Sequence, residues 1–225
     1  MPNHTETKVR IQGAPHVIDA MYGKLKSLVG DNGLNNNIGF LEQFIGDPSR
    51  NLGETERNLK SEDGMPNWYA QRLNHWGTKW DVYHVQDVQV DFLPQHAGFE
   101  ESRVLTCLWD TAWSPCIPAM KTLSRKFNVD VTLDYIDEGL FFVGRTIIIN
   151  GEINLEQDYD GKDVYRGMYE LFGREHYLDW LEGIKEFVDD DFKDEIHGDA
   201  KNYVSKEDFK KVTHILGMDK VTEEG

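Results

Sequence analysis

The order in which the hydrophobic period changes along the chain constrains the fold more than any single motif. Lys8 to Ile11 reads as a short strand stopped by Gly13, and Pro15 then opens Val17, Ile18, Met21, Leu25 and Leu28 at helical spacing. Within Asp81 to Phe92, Val88, Val90 and Phe92 alternate with Asp87, Gln89 and Asp91, the period of a half-buried strand. Pro94 to Gly98 reads as a hairpin connection, and Ser102 to Ala112 returns as a strand bearing Val104, Thr106, Leu108 and Trp109. A second helix starts at Ser114-Pro115-Cys116-Ile117-Pro118, with Ser114 as N-cap and Ile117, Met120, Leu123 and Phe127 along its buried stripe. Val129, Val131, Leu133 and Tyr135 then alternate, Asp137-Glu138-Gly139 turns the chain, and Leu140 to Ile149 is rich in β-branched and aromatic residues. This β–α–β–β–α–β succession with an extra strand predicts an α+β, ferredoxin-like antiparallel sheet with its helices on one face.

Two stretches stand outside that succession. Residues 30–64 form a long polar insertion around one apolar island, Phe40, Leu41, Phe44 and Ile45, expected to be a loop carrying a short helix. It leads to a helix from Asn67, with Trp68, Leu73 and Trp76 on one side and Gly77 ending it. Charge changes after Asn150: residues 151–225 hold 21 acids and 10 bases, against 19 and 14 in residues 1–150. The reading is therefore a 1–150 sheet domain followed by an acidic helical extension over 151–225. Tyr177, Leu178, Leu181, Ile184 and Val188 share a helical face there. Ser205 and Asp208 resemble an acidic capping box before Phe209, Val212, Ile215 and Leu216.

Composition narrows the function classes. The chain has 225 residues, a net charge of −16, 39% apolar and 12% aromatic residues, enough to build a core and too acidic to grip a phosphate backbone. No nucleic acid is expected as ligand. No run approaches a membrane-spanning length, and the opening residues lack a basic stretch followed by an apolar one, so no membrane association is expected and the host cytoplasm is the expected location. Cys107 and Cys116 read as ordinary buried thiols, and Trp113-Ser114-Pro115-Cys116 lacks the second cysteine of a redox motif. Glu156, Asp158, Asp160 and Gly161 match half of a calcium loop, but Gly167 stands where its bidentate glutamate belongs. No i, i+4 histidine pair suggests a zinc hydrolase. No metal, cofactor or catalytic residue is assigned.

The densest chemical cluster is Trp76-Gly77-Thr78-Lys79-Trp80-Asp81, flanked by His75 and His84. Because it straddles a helix end and a strand start, it reads first as architecture: Trp76 and Trp80 pin a helix onto the sheet, with Asp81 or a backbone carbonyl accepting from an indole. A small-ligand site would instead gather Trp76, Lys79, Trp80, His84 and Trp113, the indoles stacking a base and Lys79 meeting a phosphate. The run Asp189-Asp190-Asp191, continued by Asp194, Glu195 and Asp199, opposes the dipole at a helix C-terminus. It is therefore expected just beyond the Tyr177 helix, as a solvated cap or a contact for a basic partner.

Four segments resemble a known family: Met1-Pro2-Asn3-His4, the Trp76 to Asp81 run, Thr111-Ala112-Trp113-Ser114-Pro115, and Tyr135 to Gly144 with Gly139, Phe142 and Gly144. Together they resemble the YubB-type ferredoxin-like domain proteins of phages and plasmids, a domain of unknown function, over about residues 1–150. The chain departs at Cys116 and Asn128, where members carry proline. The resemblance implies a ferredoxin-like fold and a mobile-element origin, and it brings no catalytic residue. The expectation is a non-enzymatic accessory protein that binds and modulates a host or host-defence protein with a basic surface, through Asp189, Asp190, Asp191, Asp194, Glu195 and Asp199. The alternatives are a small-ligand binder, for a nucleotide or signal molecule, or an unrecognised hydrolase. A sheet edge could also pair two copies as a homodimer.

Overall fold

The structure, a computed structural model, describes residues 3–30, 38–60, 64–93 and 101–218. Six strands form one sheet in the order β2-β3-β1-β4-β5-β6: β1 His4–Gly13, β2 Tyr83–Phe92, β3 Arg103–Ala112, β4 Asp130–Asp137, β5 Phe142–Ile149 and β6 Glu152–Asp160. The three ladders β1–β3, β1–β4 and β2–β3 are antiparallel. With α1 Pro15–Leu28 after β1 and the later helix Ile117–Phe127 between β3 and β4, the order β2-β3-β1-β4 is that of a ferredoxin-like fold, with two further strands beyond β4. The hairpin connection expected at Pro94 to Gly98 lies outside the described residues, although Leu93 N–H donates to Ser102 O beside it.

Alternation on β1 assigns the two sheet faces. Thr5, Thr7, Val9 and Ile11 are buried, and the register continues them into Thr111, Trp109, Cys107 and Leu105 on β3 and Asp137, Tyr135, Leu133 and Val131 on β4. This face receives α1, which packs on β2 and β3, and the Ile117–Phe127 helix, which packs on β4. The opposite face carries His4, Glu6, Lys8 and Arg10, with Asp110, Leu108 and Thr106 beside them.

The described part of the insertion between α1 and β2 carries more helix than its polarity suggests. It holds α2 Phe40–Ile45 and α3 Glu54–Asn58, followed by α4 Asn67–Trp76 and α5 Ile117–Phe127. The apolar island is a docking helix: Phe40 packs on Trp109 at 5.5 Å between ring centroids, and Phe44 on Phe127 at 5.7 Å. Ser114 does not cap α5. The N-cap is Cys116, and Ser114 Oγ donates to Gly77 O at 2.5 Å.

The chain divides into two compact units, residues 1–140 with 144–157 and residues 141–143 with 158–225. The stretch after Asn150 is not helical from its start, as the acidic composition suggests; it opens with β6. Asn150 and Gly151 both have positive φ, 53° and 77°, the two-residue turn that joins antiparallel strands. Glu156, Asp158 and Asp160 thus lie on a strand and not in a calcium loop. The second unit continues through a single turn at Gly161–Asp163, then α6 Val164–Phe172, α7 Arg174–Ile184, α8 Asp190–Ala200 and α9 Lys206–Ile215. Its core is Val164, Met168, Tyr177, Leu181, Ile196, Ala200 and Val212. Ser205 caps α9, its Oγ accepting from Asp208 N–H at 3.1 Å, but the box expected from sequence is not closed: the Asp208 carboxylate takes the Ser205 hydroxyl at 2.8 Å and the Tyr169 hydroxyl at 2.9 Å and pairs with Arg174.

Two glycines of the first unit give opposite expectations. A Cβ at Gly151 would stand 2.7 Å from Arg125 Cβ and 3.1 Å from Lys121 O, at φ +77°, so Gly151→Ala should cost about 2–4 kcal/mol. Gly23 sits inside α1 with open space around it, so Gly23→Ala should add about 0.5–1 kcal/mol. Urea denaturation of both variants checks the pair.

Candidate functional site

The Trp76 to Asp81 run is first of all a clasp. Trp76 is buried at the end of α4 and its indole N–H donates to Gly46 O at 3.0 Å, so the acceptor is a backbone carbonyl. Asp81 reaches the N-terminus of α2 from outside that helix, accepting from Leu41 N–H and Glu42 N–H at 2.9 Å each and from Val82 N–H at 2.8 Å. It supplies the carboxylate that Gly39, the N-cap residue, cannot. Burial pushes the Asp81 carboxyl above its ordinary value, against the pull of those amides. Gly77 ends α4 in the left-handed region, where a Cβ would meet Pro118 at 2.4 Å, and Thr78 Oγ1 is bonded to Ala112 at 3.1 Å.

Next to this clasp, Arg72 lies over the rings of Trp76 at 4.9 Å and Trp68 at 5.5 Å while pairing with Asp47. Asp47 also accepts from the Ser49 amide at 2.8 Å and hydroxyl at 2.7 Å. Burial raises the Asp47 carboxyl, but the bonds from Arg72 and Ser49 and the Arg72 charge outweigh it and hold it below the ordinary aspartate value.

Of the residues expected to meet at a ligand site, the structure brings Lys79 and Trp80 together and buries Trp76. Trp76 is spent in the core. Lys79 Nζ stands over the rings of Tyr69 and Trp80, at 5.2 Å and 5.1 Å. Trp80 is 36% exposed, with its ring 6.1 Å from that of Tyr83. Trp113 is 46% exposed, holds φ +73° and donates its N–H to Asn3 O at 3.0 Å, on the end of the sheet where β1 starts.

His84 has the partners that sequence proximity did not offer. Its Nδ1 lies 2.8 Å from Asp110 Oδ2, and the His4 ring stacks on it at 5.9 Å. His4 Nδ1 in turn is 2.8 Å from the Tyr83 hydroxyl, which also donates to Thr111 O at 3.2 Å, and 4.0 Å from Asp110 Oδ2. The register explains the meeting. Tyr83 pairs with Asp110, which lies diagonally across from His4, itself opposite Ala112. Between the pairs Tyr83–Asp110 and Gln86–Leu108, two residues of β2 oppose one of β3. That bulge, with His84 at φ +50°, carries its imidazole to Asp110. A second bulge, with Asp87 at φ +51°, follows, so clean alternation begins only at Val88. Burial, with the charges of Asp110 and Glu138, pushes the Tyr83 phenol well above its ordinary value, so it serves as a neutral hydroxyl.

The thiols are inert: Cys107 and Cys116 are both free and buried, and burial pushes the Cys116 thiol up to about 12. The acidic run lies beyond α7, as expected, but it opens α8. Asp189 is the N-cap and accepts from Phe192 N–H at 2.9 Å, and Asp190 and Asp191 occupy the first turn, where carboxylates favour the helix dipole. Asp194 and Glu195 follow on its exposed side, and Asp199 is half-buried. Val188, expected on the α7 face, lies beyond its end at Ile184.

Comparison with known proteins bears on the fold. A family model described as a ferredoxin-like domain in Api92-like protein matches residues 94–176. The match takes in β6 and α6, beyond the residue-150 limit of the resemblance read from sequence. The crystal structure of protein api92 from Yersinia pseudotuberculosis is similar over 72% of this chain and 99% of its own, at 9% identity and a TM-score of 0.38. No curated protein matches. Among the described residues no helix is long and apolar enough to cross a membrane. The chain carries a ferredoxin-like domain similar to the one in Api92-like proteins.

Breaking the half-buried Asp47–Arg72 pair should be costly: Arg72→Ala is expected to lose about 1.5–3 kcal/mol in urea denaturation. Because the folded Asp47 sits below its ordinary value, its contribution is complete above the aspartate range near 3.8 and is lost as the pH falls through and below it. The stability gap between the unaltered chain and Asp47→Asn should therefore be widest near neutrality and close towards pH 3.

Proposed function

We propose that the protein works by recognition, as a non-enzymatic accessory protein of phage or plasmid origin that docks its second unit on a basic surface of a host or host-defence protein. The observation that carries this reading is Phe187. In the connection between α7 and α8 it is 87% exposed, beside Glu186 and at the head of the carboxylates Asp189, Asp190 and Asp191. An aromatic side chain held out in water and bordered by charge has the anatomy of an interface anchor, which gains its energy only when a partner desolvates it. The carboxylates around it suit fast, salt-sensitive association with a basic surface. Asp194 and Glu195 extend the same charge along α8, with Asp199 at its far end. The mobile-element origin rests on the resemblance of the four segments read from sequence.

Small-ligand binding around the indoles is the weaker reading, because Trp76 is enclosed and Lys79 is already covered by two aromatic rings. A base and its phosphate would have to displace those contacts.

Affinity capture from bacterial cells should compare the unaltered chain with Phe187→Glu and with the triple variant Asp189→Asn, Asp190→Asn, Asp191→Asn. A partner recovered in stoichiometric amount by the first, lost from Phe187→Glu and released at lower salt from the triple variant is the expected result. Equal recovery by all three, or no stoichiometric partner at all, would overturn the reading.

A further inference from the structure

We propose that His4, His84 and Asp110 form a binding site for one divalent transition-metal ion of the zinc class. This site belongs to the first unit and stands independently of the recognition surface. One ligand atom from each residue lies within 4.8 Å of the other two, and both imidazole Nδ1 atoms face the same carboxylate oxygen, at 2.8 Å and 4.0 Å. Ligand atoms around a tetrahedral zinc ion stand about 3.3 Å apart, given Zn–N and Zn–O distances near 2.0–2.1 Å. Small side-chain rotations therefore close the set around an ion.

The chemistry of the set matches such an ion. Two imidazoles and a carboxylate bind zinc-class metals in preference to magnesium or calcium, which take oxygen ligands. The His84 side chain is 47% exposed, so water can enter and fill the remaining coordination positions. Charge also favours a cation: Glu138 Oε2 accepts from the His4 amide at 3.0 Å, and no lysine or arginine pairs with Asp110 among the described ion pairs. When the ion takes the His4 nitrogen, the Tyr83 hydroxyl keeps a partner in Thr111 O, at 3.2 Å. Tyr83 is then a positioning residue against the His4 ring, which it meets edge-on at 5.5 Å.

A second observation is independent of those distances. His84 sits in the left-handed region, at φ +50°, on a bulge. That conformation costs a non-glycine residue energy, and bulges of this kind re-aim side chains at functional sites. The strain here delivers one imidazole to the carboxylate and to the other imidazole.

The test uses the full chain freed of metal by a chelator. Isothermal titration with Zn²⁺, and the visible spectrum with Co²⁺, should show one equivalent bound, and Zn²⁺ should raise the melting temperature. His84→Gln and Asp110→Asn should each weaken Zn²⁺ binding by roughly tenfold or more, while His16→Gln, on the exposed side of α1, should leave it unchanged. Circular dichroism in chelator reports whether each variant is folded, and His4→Gln replaces either one that is not. No heat and no Co²⁺ spectrum, or unchanged affinity in the folded His84→Gln and Asp110→Asn chains, would overturn the assignment.

Discussion

The register of β1 against its two neighbours is the constraint on which the first unit depends. Because β1 is paired on both sides, each of its residues fixes a row across three strands, and a shift by one would turn Val9 and Ile11 out of the core and His4 into it. The rows that begin at Thr5, Thr7, Val9 and Ile11 build the helix-bearing face. The rows that begin at His4 and Glu6 bring Asp110, and through Asp110 its β2 partner Tyr83, to the other. Core and candidate site are two sides of one ladder.

The insertion between α1 and β2 is held by a different physics. Its helices are too short to be stable alone. α2 persists because remote groups complete it: the Asp81 carboxylate accepts from two α2 amides, Lys126 Nζ donates to Phe44 O at 2.7 Å, and the Trp76 indole donates to Gly46 O. Polar composition describes the surface of this segment, while Phe40, Leu41 and Phe44 decide where it goes.

What could be read from the sequence was what depends on neighbours along the chain. Pro15, the Val131–Leu133–Tyr135 alternation and the Ser205 N-cap signal their elements locally, and these stand in the structure as read. β6 does not show in the sequence pattern although Asn150-Gly151 announces a hairpin, because the acids that follow, Glu152, Glu156, Asp158 and Asp160, lower strand propensity and mimic a change of domain. The helix dipole keeps the acidic run out of the C-terminus of α7, and the same dipole makes it a good start for α8. The sequence neighbours of His84 draw attention to it, whereas His4 and Asp110 reach it only through cross-strand pairing and a bulge. Regular alternation gives no sign of either, and the kink at His84 is itself what a strand pattern hides.

The irregular backbone of β2 has one more effect. As the outermost strand among the described residues it offers backbone amides and carbonyls to any neighbouring chain, yet the kinks at His84 and Asp87 break their spacing, so a regular strand laid alongside falls out of step. At the opposite border, β6 turns away like-charged visitors with Glu152, Glu156, Asp158 and Asp160. Growth of the sheet from molecule to molecule is thus discouraged at both borders, by geometry on one and by repulsion on the other, which guards the open sheet against fibrous self-association.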